Sequence, residues 1–528
     1  MAAAPVFLRL LGLLALIVST VVVADQRPIN SEEISPAFWE RLARQRFQQS
    51  RGIFGDGLKT RARNVILFLG DGMGVPTVSA GRFYKTEVGG QLGLANPTLD
   101  FENWPFATLC KTYDLQTVVT DSASSATAYL GGTKTSTKML GVTGAVKLKS
   151  CRKYLPEEKV DSVLKAAVRE GLATGIVTTS RVTHASPAGA YAHVASRGWE
   201  SDKKLKADCK GAKDLPLDIA RQLVEENPDV NVVLGGGMRC FYPEGRGERL
   251  DNRSVADEWL SIQIIRSRRA KLITDPSKFL STDFSKVDYL MGLLYPSHMP
   301  YDGDRKDGDP SLANLTVVAL EILKRQPNGF FLFVEGARID HAHHDNKGKK
   351  ALEDLLAFEE AIREAVKMVD LEETLIIVTA DHSHSFTLVG QPGRSESLLD
   401  RDTSYDFAIK DDKGMLPVIY ASGPAAAVNE TRRNVSSLSN EELHDADFRQ
   451  PALVPIPWAT HAGEDVGVYA VGPSSWLFHS TVDNTFVAQA MKYALCLEPF
   501  NLEVHCASSR PMATALLLLV VYVVLRNY

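Results

Sequence analysis

The stretch NVILFLGDGMG, residues 64–74, decides the fold of this chain. It joins an apolar run at 65–69 to an aspartate between two glycines. A short apolar run that ends at a turn signal predicts a strand buried on both faces, as in a parallel sheet. Asp71 would then follow the carboxyl end of that strand, which is where open α/β sheets bind their ligands.

The same alternation continues along the chain and defines the fold class. We predict an N-terminal helix with an apolar face at Phe38, Leu42 and Phe47 ahead of it. Strand and helix in turn predict an α/β fold, with a mainly parallel central sheet flanked by helices on both faces. The predicted strands are 65–69, 173–180, 230–237, 329–336 and 374–381, and the helices between them are 159–171, 217–226 and 352–370. Residues 391–457, rich in Ser, Asp, Asn and Pro, predict an inserted region over the site or at a dimer face.

Composition is that of an ordinary globular protein. The 528 residues are 45% hydrophobic and 23% charged, enough for a large core in one or two domains. The net charge is −5 and basic and acidic residues are interspersed, which argues against nucleic acid as a partner.

Both ends of the sequence indicate the destination of the chain. Residues 1–24 have the apolar run and small-residue pattern of a signal peptide. The alternative is an uncleaved anchor, although its apolar run is shorter than the ~20 residues of a membrane span. Residues 509–528 resemble a GPI-attachment signal, with Ser508 as our choice of attachment residue among 507–509. The domain itself is then residues 25–508.

Sequons and cysteines fit a secreted route. An even number of cysteines in an oxidising compartment indicates disulfides, and we expect Cys496 and Cys506 to close a small loop. The candidate glycosylation sites are Asn252, Asn314, Asn429 and Asn434.

Polar side chains follow the predicted strands. Taken singly, each is most simply a helix cap or a turn acid. Four strands that deliver acids, histidines or hydroxyls to one sheet edge instead predict a ligand site. These residues are Asp71, then Thr183, His184 and Ser186, then Glu335, then Asp381 and His382.

A histidine-rich run predicts a metal site at this edge. In EGARIDHAHHDN, Asp340 and His344 lie four residues apart, so a helix would present both on one face. Such a pair is often only a surface hydrogen bond, but Glu335 lies five residues before it. TADHSHS adds His384, and ATHAGED adds His461. His and Asp ligands without Cys point to catalytic zinc.

Ser122 is the candidate nucleophile. In TDSASSATAYLGG it precedes a run of small helix-forming residues, so it would occupy a helix N-terminus, which favours phosphate and an ionised serine. Serine at this position is usually a simple cap. The nearby metal residues favour catalysis, because no histidine positioned as a base for the serine is apparent and a zinc ion can activate the hydroxyl.

Six motifs together resemble the animal alkaline phosphatases, from about residue 37 to residue 506. They are GDGMG, TDSASSAT, THASPAGAYAH, FVEGARIDHAHH, TADHSH and THAGEDV. The resemblance implies a GPI-anchored, cell-surface, homodimeric phosphomonoesterase of broad specificity and alkaline optimum. It implies that residues 391–457 form a crown-like insertion, and that phosphate esters are hydrolysed through a phosphoserine on Ser122.

The resemblance also implies two zinc ions and one magnesium. One zinc would be held by Asp340, His344 and His461, the other by Asp71, Asp381 and His382, and the magnesium by Asp71, Ser186 and Glu335. Arg197 would grip the phosphate, while His184, His343 and His384 would support the ligands. It further suggests a Cys151–Cys209 bridge, which would leave Cys110 with Cys240.

Two departures from vertebrate members matter. Their calcium motif is replaced by Leu294 and Tyr295, with only Asp309 retained, so we predict no calcium site. Trp458 stands where those relatives have an acid, which should alter the entrance to the site. These differences suggest an invertebrate-type member.

Two other functions remain open on the sequence alone. Related folds cleave phosphodiesters or sulfate esters, or move phosphate between sugar positions, commonly with Thr or a modified Cys as nucleophile. A catalytically silent surface protein is the other. The complete set of ligands together with Ser122 favours the monoesterase.

Overall fold

The computed structural model describes residues 30–55, 58–428 and 431–507. The predicted signal peptide, the predicted GPI signal with Ser508, and Asn429 lie outside these residues. Within the described part of the chain, none of the helices combines the length and apolarity needed to cross a membrane.

A ten-stranded sheet forms the centre of the fold, in the order β15-β2-β14-β8-β1-β7-β3-β4-β6-β5. β1 and β8 are parallel, as are β1 and β7, β7 and β3, and β3 and β4, whereas β14 runs antiparallel to β8 and β2. The predicted mainly parallel sheet is confirmed. The strands are β1 (Asn64–Gly70), β2 (Phe106–Lys111), β3 (Ala173–Arg181), β4 (Val232–Gly236), β5 (Ala270–Ile273), β6 (Tyr289–Leu293), β7 (Phe330–Gly336), β8 (Thr374–Ala380), β9 (Ser383–His384), β10 (Phe386–Leu388), β11 (Val418–Gly423), β12 (Ala452–Pro455), β13 (His461–Ala462), β14 (Val466–Val471) and β15 (Val482–Asp483).

The central strands are buried along their length. In β7 and β8 every residue is buried, and so are the residues of β1 from Val65 onward. Helices must therefore cover both faces of the sheet, because each strand carries apolar side chains on both sides. The helices are α1 (Pro36–Phe54), α2 (Val75–Val88), α3 (Ser122–Gly131), α4 (Val163–Arg169), α5 (Ala185–Ala188), α6 (Asp202–Asp208), α7 (Ile219–Arg221), α8 (Val255–Ile265), α9 (Leu312–Leu323), α10 (Arg338–His344), α11 (Gly348–Met368), α12 (Asn440–Leu443), α13 (Asn484–Ala494) and α14 (Val504–Ala507).

The N-terminal helix exists, but only part of its predicted apolar face is buried. α1 buries Trp39, Ala43 and Phe47, while Leu42 is 43% exposed. Phe47 stacks on Tyr493, with ring centroids 4.2 Å apart. The partner is thus a helix from the far end of the same chain, and it selects a face that the local sequence does not reveal.

The inserted region contributes two strands, β11 and β12, to a small second sheet. In this sheet β11 pairs parallel with β12 and antiparallel with β10, which comes just before residue 391. A further two-stranded pair joins β13 to β9, with His461 opposite His384. These short strands bring the segment around His461 next to the carboxyl end of β8.

Two disulfides are present and one expected bridge is absent. Cys151–Cys209 and Cys496–Cys506 are bonded as predicted. Cys110 and Cys240 are both free and buried, so the suggested pairing between them is wrong. Cys110 lies on β2 and Cys240 follows β4, and five strands separate β2 from β4 in the sheet. Strands lie about 4.8 Å apart, so the two sulfurs are several times too far apart for a bond.

Candidate active site

Neighbouring strand ends place three buried acids side by side. In the sheet register Leu69 lies opposite Glu335, and Gly70 lies opposite Ala380. Asp71 and Asp381 each follow directly after these residues, so Asp71, Glu335 and Asp381 meet at one edge. All three are fully buried.

Ser122 begins helix α3 at this edge, as predicted. Asp121 is the N-cap, and its side chain accepts a hydrogen bond from the Ser124 amide. The Ser122 hydroxyl lies 3.3 Å from Nε2 of His382. Sequence analysis did not predict a histidine beside Ser122, because the two residues are 260 positions apart along the chain. The same His382 nitrogen also lies close to two carboxylates, at 3.1 Å from Asp381 Oδ2 and 3.6 Å from Asp71 Oδ1.

A second group of ligand atoms forms around Asp340. Its Oδ2 lies 3.3 Å from His344 Nε2, and its Oδ1 lies 3.6 Å from His461 Nε2. His384 Nε2 is 2.5 Å from Asp340 Oδ1 and holds that carboxylate in place. One ligand atom from each of the four residues fits within a 4.8 Å cluster. The predicted Asp-x-x-x-His pair thus shares one face of α10.

The third group lies beside Asp71, on the other side from Asp340. Ser186 Oγ is 3.5 Å from Asp71 Oδ2. Ligand atoms of Asp71, Glu335 and His184 also lie within 4.8 Å of one another. Glu335 Oε2 accepts hydrogen bonds from Ser180, at 3.0 Å, and from Thr178. Thr183, another predicted residue of this edge, instead donates to Glu200 at 2.7 Å.

Three histidines are oriented in the same way by main-chain carbonyls. Nδ1 lies 2.7 Å from Ala459 O in His344, 2.9 Å from Thr120 O in His461, and 3.2 Å from Ser383 O in His382. A carbonyl only accepts, so the proton lies on Nδ1 and the Nε2 lone pair faces the acids. This arrangement is typical of histidines that bind metal ions. His344 Nε2 and His461 Nε2 converge to 3.4 Å.

The acids at this edge have oxygen atoms that make no hydrogen bond within the described residues. They are Asp71 Oδ1, Glu335 Oε1 and Asp381 Oδ2, all buried. Burial and the charges of Asp381, Asp340 and Glu335 raise the pKa of Asp71 well above its ordinary value. Burial likewise raises the pKa of Glu335 to about 7. Buried carboxylate oxygens without hydrogen bonds fit divalent cations, because a bound cation would neutralise the charges that repel one another.

The histidines at this edge differ in the direction of their pKa shifts. Burial alone would lower the pKa of His382, but the neighbouring Asp381 raises it. Burial lowers the pKa of His461 to about 4 and the pKa of His343 to about 3. Burial alone would raise the pKa of Asp340, but His344 and His384 hold it well below its ordinary value. Ionised carboxylates and neutral imidazoles are the forms that bind metal ions.

Arg197 is held at the same edge by two partners. Its Nη1 donates to Asp121 Oδ2 and its Nη2 donates to His184 Nε2, both at 3.0 Å. Burial alone would raise the pKa of Asp121, but Arg197 and two further hydrogen bonds keep it well below its ordinary value. The remaining N–H groups of the guanidinium stay available for an anion.

An open cavity of about 820 Å³ connects these groups. Its wall includes Ser122, Arg197, His344 and Trp458, so Trp458 lies at the entrance as predicted. His341 also lines the cavity, although the sequence analysis did not select it from the run of histidines at 341–344.

Tyr420 and Thr77, which the sequence analysis missed, contact His343, a residue predicted to support the ligands. Its Nδ1 lies 2.8 Å from the Tyr420 hydroxyl, and its Nε2 lies 3.0 Å from Thr77 Oγ1. Tyr420 belongs to β11 in the inserted region. The contact therefore ties that region to helix α10, and no local signal in the sequence marks it.

The other predicted sites lie away from the cavity. Asn252 and Asn434 are exposed, and Asn314 is half-buried, with its Oδ1 accepting from the Ser311 amide at 3.0 Å. Leu294 is buried, and one oxygen of Asp309 accepts from the Lys306 amide. Glycosylation and the lack of a calcium site stay predictions.

Comparison with known proteins gives a consistent result. The family model for alkaline phosphatase matches residues 62–497. The alkaline phosphatase of Gadus morhua is 39% identical over 482 residues, covering 88% of this chain and 98% of that protein. The tissue-nonspecific isozyme of Homo sapiens is 38% identical over 496 residues, covering 91% and 92%.

Solved structures support the fold. The alkaline phosphatase of Thermus thermophilus matches with a TM-score of 0.60 at 24% identity, covering 84% of this chain and 93% of that one. The enzyme of the Antarctic bacterium TAB5 matches with a TM-score of 0.57 at 23% identity, covering 84% and 99%. On the family model and the curated relatives, the chain belongs to the alkaline phosphatase family of metal-dependent phosphomonoesterases.

Proposed function

We propose that Ser122 is the nucleophile of a phosphomonoesterase that passes through a phosphoserine. Three observations support this role. Ser122 is the first residue of α3, where free amides and the helix dipole favour a phosphate group. It lines the 820 Å³ cavity. Its hydroxyl faces His382 and the acids rather than a main-chain amide that it would cap.

The same proposal assigns the ions. Asp340, His344 and His461 hold one zinc, Asp71, Asp381 and His382 hold the other, and Asp71, Ser186 and Glu335 hold magnesium. When bound, such cations lower the pKa of a serine hydroxyl or a water and stabilise negative charge on the phosphoryl and leaving groups. The observation that carries the assignment is the common orientation of three imidazoles by main-chain carbonyls. Nε2 of His344 and of His461 faces Asp340, and Nε2 of His382 faces Asp71 and Asp381.

The reaction then has two displacements at phosphorus. Ser122 Oγ attacks in line, forms the new O–P bond, and the bond to the alcohol breaks as that oxygen gains a proton. Water attacks the phosphoserine in the second step, which releases inorganic phosphate and restores the hydroxyl. Arg197, held by Asp121, donates to two phosphoryl oxygens in both steps and keeps the group aligned.

The proposal is tested by the hydrolysis of a chromogenic phosphate monoester at alkaline pH. The purified parent protein is compared with Ser122→Ala, and zinc and magnesium are measured in both. Loss of turnover with about two zinc ions retained per chain supports it. A parent that cleaves only a phosphodiester, or nothing with both metals added, contradicts it. The last result favours the silent surface protein.

We also propose a GPI-anchored homodimer on the outer cell surface. The patterns at both ends of the sequence support the route, and the two disulfides suit an oxidising compartment. The homodimer rests on the resemblance alone. Release of activity from cells by a phosphatidylinositol-specific phospholipase, with the released mass measured by light scattering, tests anchor and dimer together.

A further inference from the structure

Trp458 is an unusual residue for the mouth of a polar cavity. Its side chain is 58% exposed and forms part of the wall that also contains Ser122. In the described part of the chain its ring has no hydrogen bond, no aromatic neighbour and no cation above its face. A large apolar surface is thus presented to solvent beside the reacting groups.

The backbone next to Trp458 is rigidly attached to the site. The Ala459 amide donates to His344 O at 2.8 Å, and Ala459 O accepts from His344 Nδ1 at 2.7 Å. The Thr460 amide donates to Ser422 Oγ at 3.0 Å. The backbone that follows Trp458 is therefore held close to His344, which places the indole at the rim of the site.

A second apolar element lies on the same rim. Val119 is 37% exposed and lines the cavity, and its neighbour Val118 is 83% exposed. The next residue, Thr120, accepts the hydrogen bond of His461 through its carbonyl. Each apolar rim residue thus adjoins a residue that orients a histidine of the site. The floor of the cavity is polar and its rim is apolar.

We propose that Trp458 and Val119 form a subsite for the leaving group, which receives a flat aromatic or heteroaromatic ring when Arg197 and Ser122 hold the phosphate. Exposed indole binds such rings by stacking, and the cavity volume is ample for a nucleotide-sized ester. The preferred substrates are therefore aryl and nucleoside monophosphates over aliphatic phosphates. This inference rests on the proposed phosphomonoesterase function.

A pair of substrates that differ only by the ring isolates this contribution. Adenosine 5′-monophosphate and ribose 5-phosphate share the same reacting oxygen, so the ratio of their kcat/KM values reports the base alone. Trp458→Leu should lower this ratio about three- to tenfold, mainly through KM for the nucleotide, because the usual strength of an aromatic pair is lost. Trp458→Phe should keep most of the ratio.

Phe407 provides a matched control, because it is 88% exposed and lies outside the lining of the cavity. Phe407→Leu should leave the ratio unchanged. An unchanged ratio in Trp458→Leu overturns the subsite, as does an equal loss on both substrates. An equal loss with a change of mass in light scattering would show instead that Trp458 contacts a second copy.

Equilibrium binding tests the aromatic subsite independently of the proposed phosphomonoesterase function. Metal-loaded Ser122→Ala protein should bind the nucleotide more tightly than ribose 5-phosphate, and the added change Trp458→Leu should remove the difference. If the parent hydrolyses neither ester, the proposed function fails, and this binding difference still decides the subsite. Equal affinities for the two esters overturn it.

Discussion

Buried acids occur in two contrasting arrangements in this molecule. Asp218 is 1% exposed and is paired with the equally buried Arg249, whose Nη1 and Nη2 lie 3.1 and 3.0 Å from its two oxygens. Asp251 adds a second carboxylate to the same guanidinium at 2.6 Å. At the catalytic edge, by contrast, Asp71, Glu335 and Asp381 are buried together, each with an oxygen that makes no hydrogen bond in the described residues.

The difference lies in the source of the cation. Around Asp218 the chain supplies its own, and Arg249 satisfies both oxygens. At the catalytic edge His382 Nε2 lies 3.1 Å from Asp381 Oδ2 and 3.6 Å from Asp71 Oδ1, and these oxygens make no hydrogen bond within the described residues. A buried charge is unfavourable without a partner, so this region is complete only with cations from solution. Buried acids mark function here because they lack an internal partner.

The sharpest test of this contrast removes Asp71, the acid that the proposal assigns to two ion sites. Asp71→Ala should lower kcat/KM by at least about a thousandfold, since metal ions contribute several kcal/mol to such transition states. Zinc and magnesium content should fall with it, as measured by elemental analysis. An Asp71→Ala protein with parental activity and metal content would remove Asp71 from the site.

The opposite change acts on the pair that needs no metal. Arg249→Met leaves Asp218 buried without its partner, so unfolding free energy should fall by about 3–5 kcal/mol. Metal content and kcat per folded molecule should stay near the parental values. The double variant with Asp218→Leu should recover most of the stability in denaturant titrations. If instead activity falls while stability holds, the two arrangements do not differ as argued.

The pH dependence of the metal-free protein sharpens the comparison further. The pKa of Glu335 is raised to about 7 in the fold, from an ordinary value of 4.5. The folded state therefore binds a proton more tightly than the unfolded chain, and this contribution is complete below pH 4.5 and lost as pH rises to 7. Without metal, the parent should lose stability relative to Glu335→Gln as the pH rises from 4.5 to 7. The difference in melting temperature, variant minus parent, should therefore increase over this range and then level off.

Saturating magnesium provides the control for that series. A bound cation replaces the proton, so the parent should no longer lose stability relative to Glu335→Gln across the same range. The shift in the pKa of Glu335 corresponds to a change on the order of 3–4 kcal/mol in the metal-free protein. A flat difference without metal would mean that Glu335 is ionised and satisfied by the protein alone.

The sequence predicted the elements that are defined locally. The apolar runs of β1, β7 and β8 matched the structure to within a residue or two, because burial on both faces favours a nearly continuous run of apolar residues. The Asp340–His344 pair followed from helical spacing, and Ser122 followed from its capping context. These signals lie within a few residues of one another, so one stretch of sequence contains them.

Other features depend on contacts that are distant in sequence. The predicted helix 159–171 is only Val163–Arg169, because the Val160 amide bonds instead to Gly141 O at 2.8 Å. The predicted helix 217–226 divides into Ile219–Arg221 and a π-helical turn, Gln222–Glu226. The approach of His382 to Ser122 is likewise set by the packing of β8 against its neighbours. Spacing along the chain cannot reveal such contacts.

The smallest effect is expected where the catalytic edge does satisfy a polar group internally. Tyr420→Phe removes the hydroxyl that contacts His343 Nδ1 at 2.8 Å and leaves a buried ring nitrogen without that partner. We expect a loss of about 1–3 kcal/mol in unfolding free energy, with metal content retained, because we propose His343 as a supporting residue and not as a ligand. Tyr405→Phe, in the same inserted region, is the matched control, since no hydrogen bond to its hydroxyl is found among the described residues. Equal stability of the two variants would show that the Tyr420 contact does not fasten the inserted region to the site, whereas loss of zinc in Tyr420→Phe would place His343 among the ligands.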